Sequence, residues 1–310
     1  MPGAYAHITL ANLLKEPARL EAIPAFPVEA ISAVLDYFKF CELGAVSPDY
    51  PYLSVGDKKA EAWANLMHYT RTGAMLQVGI GKLRGLPKET MHKGLAWLLG
   101  YAAHVATDVS IHPVVNLKVG RYEDNKRMHR VCELNQDAHI FQRMKLGGVG
   151  LSEHLDSGIG GCCNPRNKKQ LDTDIVDLWK SILKEVHPAE FKKNPPDFNK
   201  WHKLFKLMVD DVAEEGNKLM PFARHLGVNC GLTYPTADEI DRQFIDGLAV
   251  PGGAREGYDS IFDRTIGNVG GVWQLVASGV LQGDEKYVAR LGTWNLDTGK
   301  DENDRMVFWS

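Results

Sequence analysis

The feature that most constrains the fold is an apolar run at residues 98–116, LLGYAAHVATDVSIHPVVN. It lies within a longer helix that the periodicity predicts over residues 88–118. The run carries three ionisable side chains at intervals of four residues, His104, Asp108 and His112. Because an α-helix advances about 100° per residue, positions i, i+4 and i+8 fall within an arc of about 80°. The three side chains are therefore predicted to share one face of a helix that is otherwise suited to a core.

Helical periodicity dominates the rest of the chain, and no internal repeat or low-complexity tract interrupts it. The sequence predicts an all-α fold, a multi-helix single domain over residues 1–285 followed by a polar C-terminal tail at 286–310. The glycine-rich residues 147–165 are expected to form a long surface loop. The predicted helices cover residues 6–14, 28–44, 58–83, 88–118, 124–145, 172–186, 201–216, 237–248 and 259–281.

Composition and charge narrow the class of protein. The 310 residues are 44% hydrophobic and 24% charged, which is ordinary for a globular enzyme and allows a sizeable core. A net charge of −3 gives no broad basic surface, so binding to nucleic acid is not favoured. Five cysteines without a CxxC pair resemble neither a disulfide framework nor a zinc knuckle. Because no apolar run reaches 18 residues and the first 20 residues do not resemble a secretory signal, we expect a cytoplasmic protein without a transmembrane segment.

A second stripe of potential metal ligands follows in the next predicted helix, in MHRVCELNQDAHI at residues 128–140. His129, Glu133 and Asp137 are again four residues apart. Imidazole and carboxylate groups suit zinc or a similar divalent ion, and a carboxylate can bridge two ions. Without a partner, each such group would cost roughly several kcal/mol to bury. Two stripes of this kind therefore predict a metal site, in which Asp137 and His139 are weaker candidates that could also support the ligands or lie at the surface.

Three further residues stand in segments that could contribute. Asp49 lies in LGAVSPDYPYL, where two prolines form a rigid turn that would fix a carboxylate at the end of a helix. His68 lies on an amphipathic helix in WANLMHYTRTG, and His7 lies in the first turn of the first helix in GAYAHITL. Taken alone, each of these residues is more often structural than functional.

Five segments, in this order along the chain, carry a resemblance to a known family: AYAHITLANLL, LGAVSPDYPYL, MHYTRTG, LLGYAAHVATDVSIHP and MHRVCE. Together they resemble the zinc-dependent phospholipase C family, including the catalytic domain of glycosylphosphatidylinositol-specific phospholipase D. The chain is less closely similar to the secreted bacterial phospholipases C and to the S1/P1 nucleases. The ligand motifs lie within residues 4–140, and FDRTIGNVGGVWQLV at 262–276 resembles the closing helix of that fold.

The resemblance implies a centre of two to three zinc ions. The residues implied as ligands or neighbours of one zinc are Asp49, His68, His104 and Asp108. His112, His129 and Glu133 would hold a second ion, and His7, with Asp108 bridging, would contribute to a third. The spacing HxxxDxxxH matches the glycosylphosphatidylinositol-specific branch, whereas the secreted bacterial enzymes have HxxxDxxxxxH. Those enzymes also ligate the third zinc with an N-terminal Trp, and here Met1 to Ala6 contain no Trp.

The implied function is that of a metal-dependent phosphodiester hydrolase, phospholipase C-like, with a phospholipid or related small ester as substrate. Asp49 is the residue expected to orient or deprotonate the attacking water. Two alternatives remain: an S1/P1-type nuclease, and a metal-containing binding or assembly module without turnover. The sequence contains no GxSxG, Walker or HExxH motif, and no histidine is followed directly by Asp as HD-type phosphohydrolases require.

Overall fold

A computed structural model describes residues 3–145, 158–215 and 233–309, with the backbone alone over 208–215. The described residues form thirteen α-helices, and short 3₁₀ turns and three antiparallel two-stranded hairpins connect them. Helices α1 to α13 span Ala4–Leu14, Pro17–Glu21, Val28–Asp36, Phe38–Val46, Lys58–Tyr69, Thr72–Leu83, Lys88–Val119, Lys126–Phe141, Thr173–Val186, Pro188–Lys193, Phe198–Glu215, Tyr258–Gln282 and Lys286–Arg290. The hairpins pair β1 with β2, β3 with β4 and β5 with β6: Cys163–Asn164, Asn167–Leu171, Leu248–Ala249, Arg255–Glu256, Trp294–Asn295 and Lys300–Asp301. The fold is all-α, as predicted.

Helix α7 is the centre of the molecule. It is 32 residues long, and every residue from Gly94 to Val115 is buried. Neighbouring helices, chiefly α4 and α12, surround it, which explains why its sequence is a continuous apolar run rather than an amphipathic stripe. The polar side chains on α7 therefore lie in the core, where each needs a partner.

Helices α4 and α7 approach each other very closely. A Cβ added to Gly44 would lie 2.0 Å from the Trp97 carbonyl oxygen, and one added to Gly100 would lie 1.9 Å from the Cys41 carbonyl oxygen. Only glycine fits at both positions. The close approach brings the carbonyl oxygen of Ala45 on α4 within 2.9 Å of Nδ1 of His104 on α7.

Two predicted helices are each divided in the structure. The helix predicted over 28–44 is interrupted at Tyr37, between α3 and α4. The helix predicted over 58–83 is interrupted where Thr70 is extended and Arg71 has a left-handed φ of 54°. Arg71 also donates from Nη1 to the Val186 carbonyl oxygen at 2.6 Å, which holds the bend. Both halves bury apolar faces in one core, so the hydrophobic pattern continues across each break.

The prediction of a helix over residues 237–248 is wrong. The structure has two 3₁₀ turns there, Ala237–Glu239 and Arg242–Phe244, followed by strand β3. Side chains provide the alternative hydrogen bonds: Thr236 and Glu239 form a capping box, and Asp241 accepts from the Gln243 N–H. Of the predicted glycine-rich loop, residues 147–157 lie outside the described residues, and the remainder includes a 3₁₀ turn and strand β1.

The C-terminal segment, residues 294–309, packs against α6 and α7. The N–H and carbonyl of Trp294 bond to the hydroxyl of Thr72, both at 2.8 Å. The indole of Trp309 donates to the Ser110 carbonyl oxygen at 2.8 Å. These contacts, made by residues that the sequence suggested only as a polar tail, bring the segment to the buried face of α7. No helix among the described residues is long and apolar enough to cross a membrane.

Candidate metal centre

Five predicted site residues converge on the buried face of α7 from four parts of the chain. Their ligand atoms form two groups, and within each group the atoms lie less than 4.8 Å apart. One group contains His7 of α1 with His104 and Asp108, and the other contains Asp49, His68 and His104. Asp49 comes from the 3₁₀ turn Ser47–Leu53, and His68 lies near the end of α5. His104 is shared by both groups.

Asp108 lies between the two groups. Its Oδ1 is 3.3 Å from Nε2 of His7, and its Oδ2 is 3.3 Å from Nε2 of His104 and 3.8 Å from Nε2 of His68. Oδ1 of Asp49 completes the second group at 3.3 Å from Nε2 of His68. The two oxygens of Asp108 thus face different imidazoles, which is the arrangement that a bridging carboxylate requires.

The remaining predicted ligands lie beside these groups. His112 is on α7, one turn beyond Asp108, and His129 and Glu133 are on α8 with Nδ1 and Oε1 3.7 Å apart. All three side chains are buried. The structure therefore brings His129 and Glu133 together, but within the described part of the chain these two and His112 do not form a group as compact as those around Asp108.

Many nitrogen and oxygen atoms in this cluster are buried without a hydrogen-bond partner. Among the described residues they are Nδ1 and Nε2 of His7, Oδ1 of Asp49, both carboxylate oxygens of Asp108, Nε2 of His112 and Nδ1 of His129. A buried polar atom left in this way ordinarily costs about 1–3 kcal/mol. Coordination to a cation would satisfy these atoms, and imidazole nitrogen with carboxylate oxygen is a donor set that zinc prefers. The residues present therefore fit zinc.

Four of the five histidines are oriented by backbone carbonyls. A carbonyl oxygen can only accept, so the bonded ring nitrogen must carry the proton and the other nitrogen has a lone pair available to a metal. The pairs are Nδ1 of His68 with Ala64 (2.7 Å), Nδ1 of His104 with Ala45 (2.9 Å), Nε2 of His129 with Gly120 (2.6 Å), and Nδ1 of His112 with Leu296. His7 differs, because neither ring nitrogen has such a partner in the described structure. Its ring stacks on that of His104, with centroids 4.1 Å apart.

The electrostatic environment favours the protonation states that ligate metals. Burial favours the neutral form of Asp108, but the imidazoles of His104 and His112 outweigh it and hold the pKa of Asp108 well below its usual value. Burial likewise opposes ionisation of Asp49, whose pKa is nevertheless lowered by His104 and His68. Burial lowers the pKa of His112 to about 3. At neutral pH the carboxylates are therefore charged and His112 is neutral.

Arg130 was missed from the sequence. It is exposed on α8 between two predicted ligands and has no hydrogen bond or ion pair with the described residues. Desolvation opposes its charge, but Tyr234 and Glu133, together with Asp137 and Asp49, raise the pKa of Arg130. Its guanidinium is thus within electrostatic reach of the cluster. Its position inside MHRVCE was the only signal in the sequence.

Backbone groups of the C-terminal segment were also missed. The Leu296 carbonyl accepts from His112, and the Leu296 N–H donates to the His68 carbonyl oxygen at 3.1 Å. The Asp297 carbonyl accepts from the side chain of Asn116 at 2.6 Å. Side-chain patterns cannot reveal these contacts, because a backbone carbonyl is present at every residue.

The two weaker candidates lie outside the cluster. Asp137 is fully buried, and its oxygens accept hydrogen bonds from the N–H groups of Tyr5 and Ala6 and from the hydroxyl of Tyr234. His139 pairs with Asp259, with Nε2 and Oδ2 2.8 Å apart. Neither residue takes part in the groups around Asp108.

Comparison with known proteins gave one match to a family. A family model described as zinc-dependent phospholipase C matches residues 6–189, more than half of the chain. The matched range includes all eight predicted site residues and ends before the C-terminal segment. Comparisons with curated proteins and with solved structures gave no match. The chain belongs to the zinc-dependent phospholipase C family.

Proposed function

We propose that the protein hydrolyses a phosphodiester, with a phospholipid or a related small ester as substrate, and yields a phosphomonoester and an alcohol. Family membership supports a zinc-dependent hydrolase of the phospholipase type. The observation that carries the finer proposal is the set of buried, partnerless ligand atoms around Asp108. A site that only stabilised the fold would not need so many polar atoms without partners in its core.

The proposed zinc ligands follow the two groups around Asp108 and the stripe on α8. We assign two to three ions to three sets of residues: His68, His104 and Asp108, with Asp49 as their neighbour; His112, His129 and Glu133; His7 and Asp108. Zinc bound there would lower the pKa of a water and neutralise charge on the phosphoryl oxygens. The opposed oxygens of Asp108 and the backbone-oriented imidazoles support this assignment.

Asp49 is suited to accept a proton from the attacking water. Its side chain is 21% exposed, whereas that of the neighbouring His68 is 1% exposed, so Asp49 lies at the boundary between the cluster and solvent. Its pKa is lowered by His104 and His68 against the effect of burial, which keeps it ionised at neutral pH. A carboxylate in this position can take the proton and release it to solvent. Pro48 and Pro51 hold its turn.

Arg130 is suited to bind the substrate phosphate. Its guanidinium has no hydrogen bond or ion pair with the described residues, and Tyr234, Glu133 and Asp49 raise its pKa against the effect of desolvation. A guanidinium forms charge-assisted hydrogen bonds with phosphoryl oxygens. Arg130 would therefore contact the substrate from the rim while the buried cluster holds the ions.

The experiment compares the wild type with Asp49→Asn and with Asp174→Asn, a control at a surface carboxylate that pairs with Lys93 at 2.7 Å. Hydrolysis of p-nitrophenyl phosphocholine and of a chromogenic dinucleotide analogue is measured together with zinc content. The amide keeps the shape of Asp49 but cannot act as a base, so turnover should fall about 10²–10⁴-fold with the zinc retained. The control should keep both its turnover and its zinc.

Each other result has a defined meaning. Unchanged turnover in Asp49→Asn would refute the role of Asp49 as a base, and loss of zinc would make it a ligand instead. Strong preference for the dinucleotide analogue would favour a nuclease of the S1/P1 type. A zinc-loaded wild type that hydrolyses neither ester would refute the hydrolase and favour a binding module.

A further inference from the structure

Asp137 is a fully buried carboxylate that the proposed reaction does not use. Its Oδ1 accepts the N–H of Ala6 at 2.9 Å, and its Oδ2 accepts the N–H of Tyr5 at 3.2 Å and the hydroxyl of Tyr234 at 3.1 Å. The first N–H groups of a helix have no partner within it and are usually capped by the side chain just before it. In α1 that residue is Gly3, which has no side chain. Asp137 therefore caps α1 from the neighbouring helix α8.

Gly3 is required for this contact. A Cβ added to Gly3 would lie 1.9 Å from Oδ2 of Asp137, well inside van der Waals contact. Any larger residue would displace the carboxylate or the start of α1. The cap thus depends on two residues, one on each side of the contact between α1 and α8.

His7 follows the capped residues directly. Its Nε2 lies 3.3 Å from Oδ1 of Asp108, and it is the histidine of the cluster whose ring has no carbonyl partner in the described structure. Stacking on His104 restrains the plane of the ring, but not its distance from Asp108. The distance therefore depends on where α1 lies.

We propose that Asp137 is a positioning residue, which fixes the start of α1 and so holds His7 at the distance from Asp108 that a third zinc needs. This inference rests on the proposed zinc centre. Loss of the cap should weaken the ion at His7 while the ions at His104 and at Glu133 stay bound. Partners that orient metal ligands typically contribute about 10–100-fold to metal affinity.

The test measures zinc bound to the purified full chain at buffered concentrations of free zinc. Asp137→Asn keeps the shape but loses an acceptor, and Gly3→Ala disrupts the same contact from the other side. Both should bind one zinc fewer than the wild type at limiting zinc and recover it at about 10–100-fold higher free zinc. The matched control is Asp172→Asn, because Asp172 is also buried and caps α9 through the N–H groups of Asp174 and Ile175. It should bind as much zinc as the wild type.

A double variant separates positioning from general destabilisation. In a His7→Ala background, Asp137→Asn should lower the zinc content no further, because both changes act on the same ion. Unchanged zinc affinity in both Asp137→Asn and Gly3→Ala would overturn the role of Asp137, as would an additional loss of zinc in the double variant. A wild type that binds no zinc would overturn the zinc centre itself, and this inference with it.

Discussion

Replacing Asp108 with Asn should remove more of the zinc-dependent stability than replacing His7 with Ala. Asp108 is fully buried, and neither of its oxygens has a hydrogen-bond partner among the described residues. Oδ1 faces His7 and Oδ2 faces His104, both at 3.3 Å. One carboxylate would therefore serve two ions, whereas His7 would serve one.

The size of the effect follows from linkage. An ion present at about 1,000 times its dissociation constant stabilises the folded state by about 4 kcal/mol. With an unfolding entropy of about 2.1 cal/mol/K per residue, a chain of 310 residues gains about 6 °C in Tm for each ion. Asp108→Asn should thus lose about 12 °C of the zinc-induced rise in Tm, and His7→Ala about 6 °C.

The assay is differential scanning calorimetry of each variant with buffered zinc and with a chelator. The control is Asp259→Asn, which removes a carboxylate that pairs with His139 at the surface and should keep the full zinc-induced rise. If Asp108→Asn also kept the full rise, Asp108 would not be a ligand. Equal losses for Asp108→Asn and His7→Ala would contradict bridging.

Three further variants test phosphate binding by Arg130, the buried carboxyl group of Glu42 and the packing of α7 at Gly100. In steady-state kinetics, Arg130→Gln should raise KM about 10–100-fold without changing the zinc content. This rise corresponds to the loss of a charge-assisted hydrogen bond of about 1.5–3 kcal/mol. The control Arg121→Gln should show no such rise in KM. Burial raises the pKa of Glu42 from 4.5 to about 7. Between these pH values the folded protein keeps a proton that the unfolded chain has lost. The free energy of unfolding of the wild type therefore falls by up to about 3 kcal/mol as the pH rises through this range. Glu42→Gln should lack this fall. Urea unfolding should therefore show that the stability of the variant relative to the wild type is higher at pH 8 than at pH 5. An equal difference in the free energy of unfolding at both pH values would contradict the raised pKa of Glu42. Gly100→Ala would place a Cβ 1.9 Å from a carbonyl of α4 and should lower the free energy of unfolding, measured by urea titration, by about 1–3 kcal/mol. The control is Gly271→Ala, where a Cβ meets nothing within 4 Å, and it should not lower the free energy of unfolding.

The parts of the site that lie within one helix could be predicted from the sequence. Spacing alone places His104, Asp108 and His112 on one face of α7, because helical geometry relates residues four apart. The same holds for His129 and Glu133 on α8. Periodicity also gave the all-α class, since each helix buries an apolar face in a common core.

The convergence of separate segments could not be derived from local spacing. Asp49 and His7 reach α7 through long-range packing, and the sequence indicated their role only through resemblance to a family. The break at Arg71 was missed because both halves of the predicted helix show the same hydrophobic period. The cap that Asp137 provides for α1 connects positions more than 130 residues apart, and no local pattern encodes such a contact.

The contact between His112 and Leu296 has a consequence for the order of events during synthesis of the protein. The two residues are 184 positions apart, so α7 leaves the ribosome long before the carbonyl that orients the ring of His112. Until residue 296 has been synthesised, Nδ1 of His112 lacks this acceptor, which in the complete chain fixes its proton and leaves Nε2 available to a metal. If the proposed zinc at His112 is bound, we expect it to be acquired last, and a nascent chain stalled before residue 296 to hold it more weakly than the complete chain.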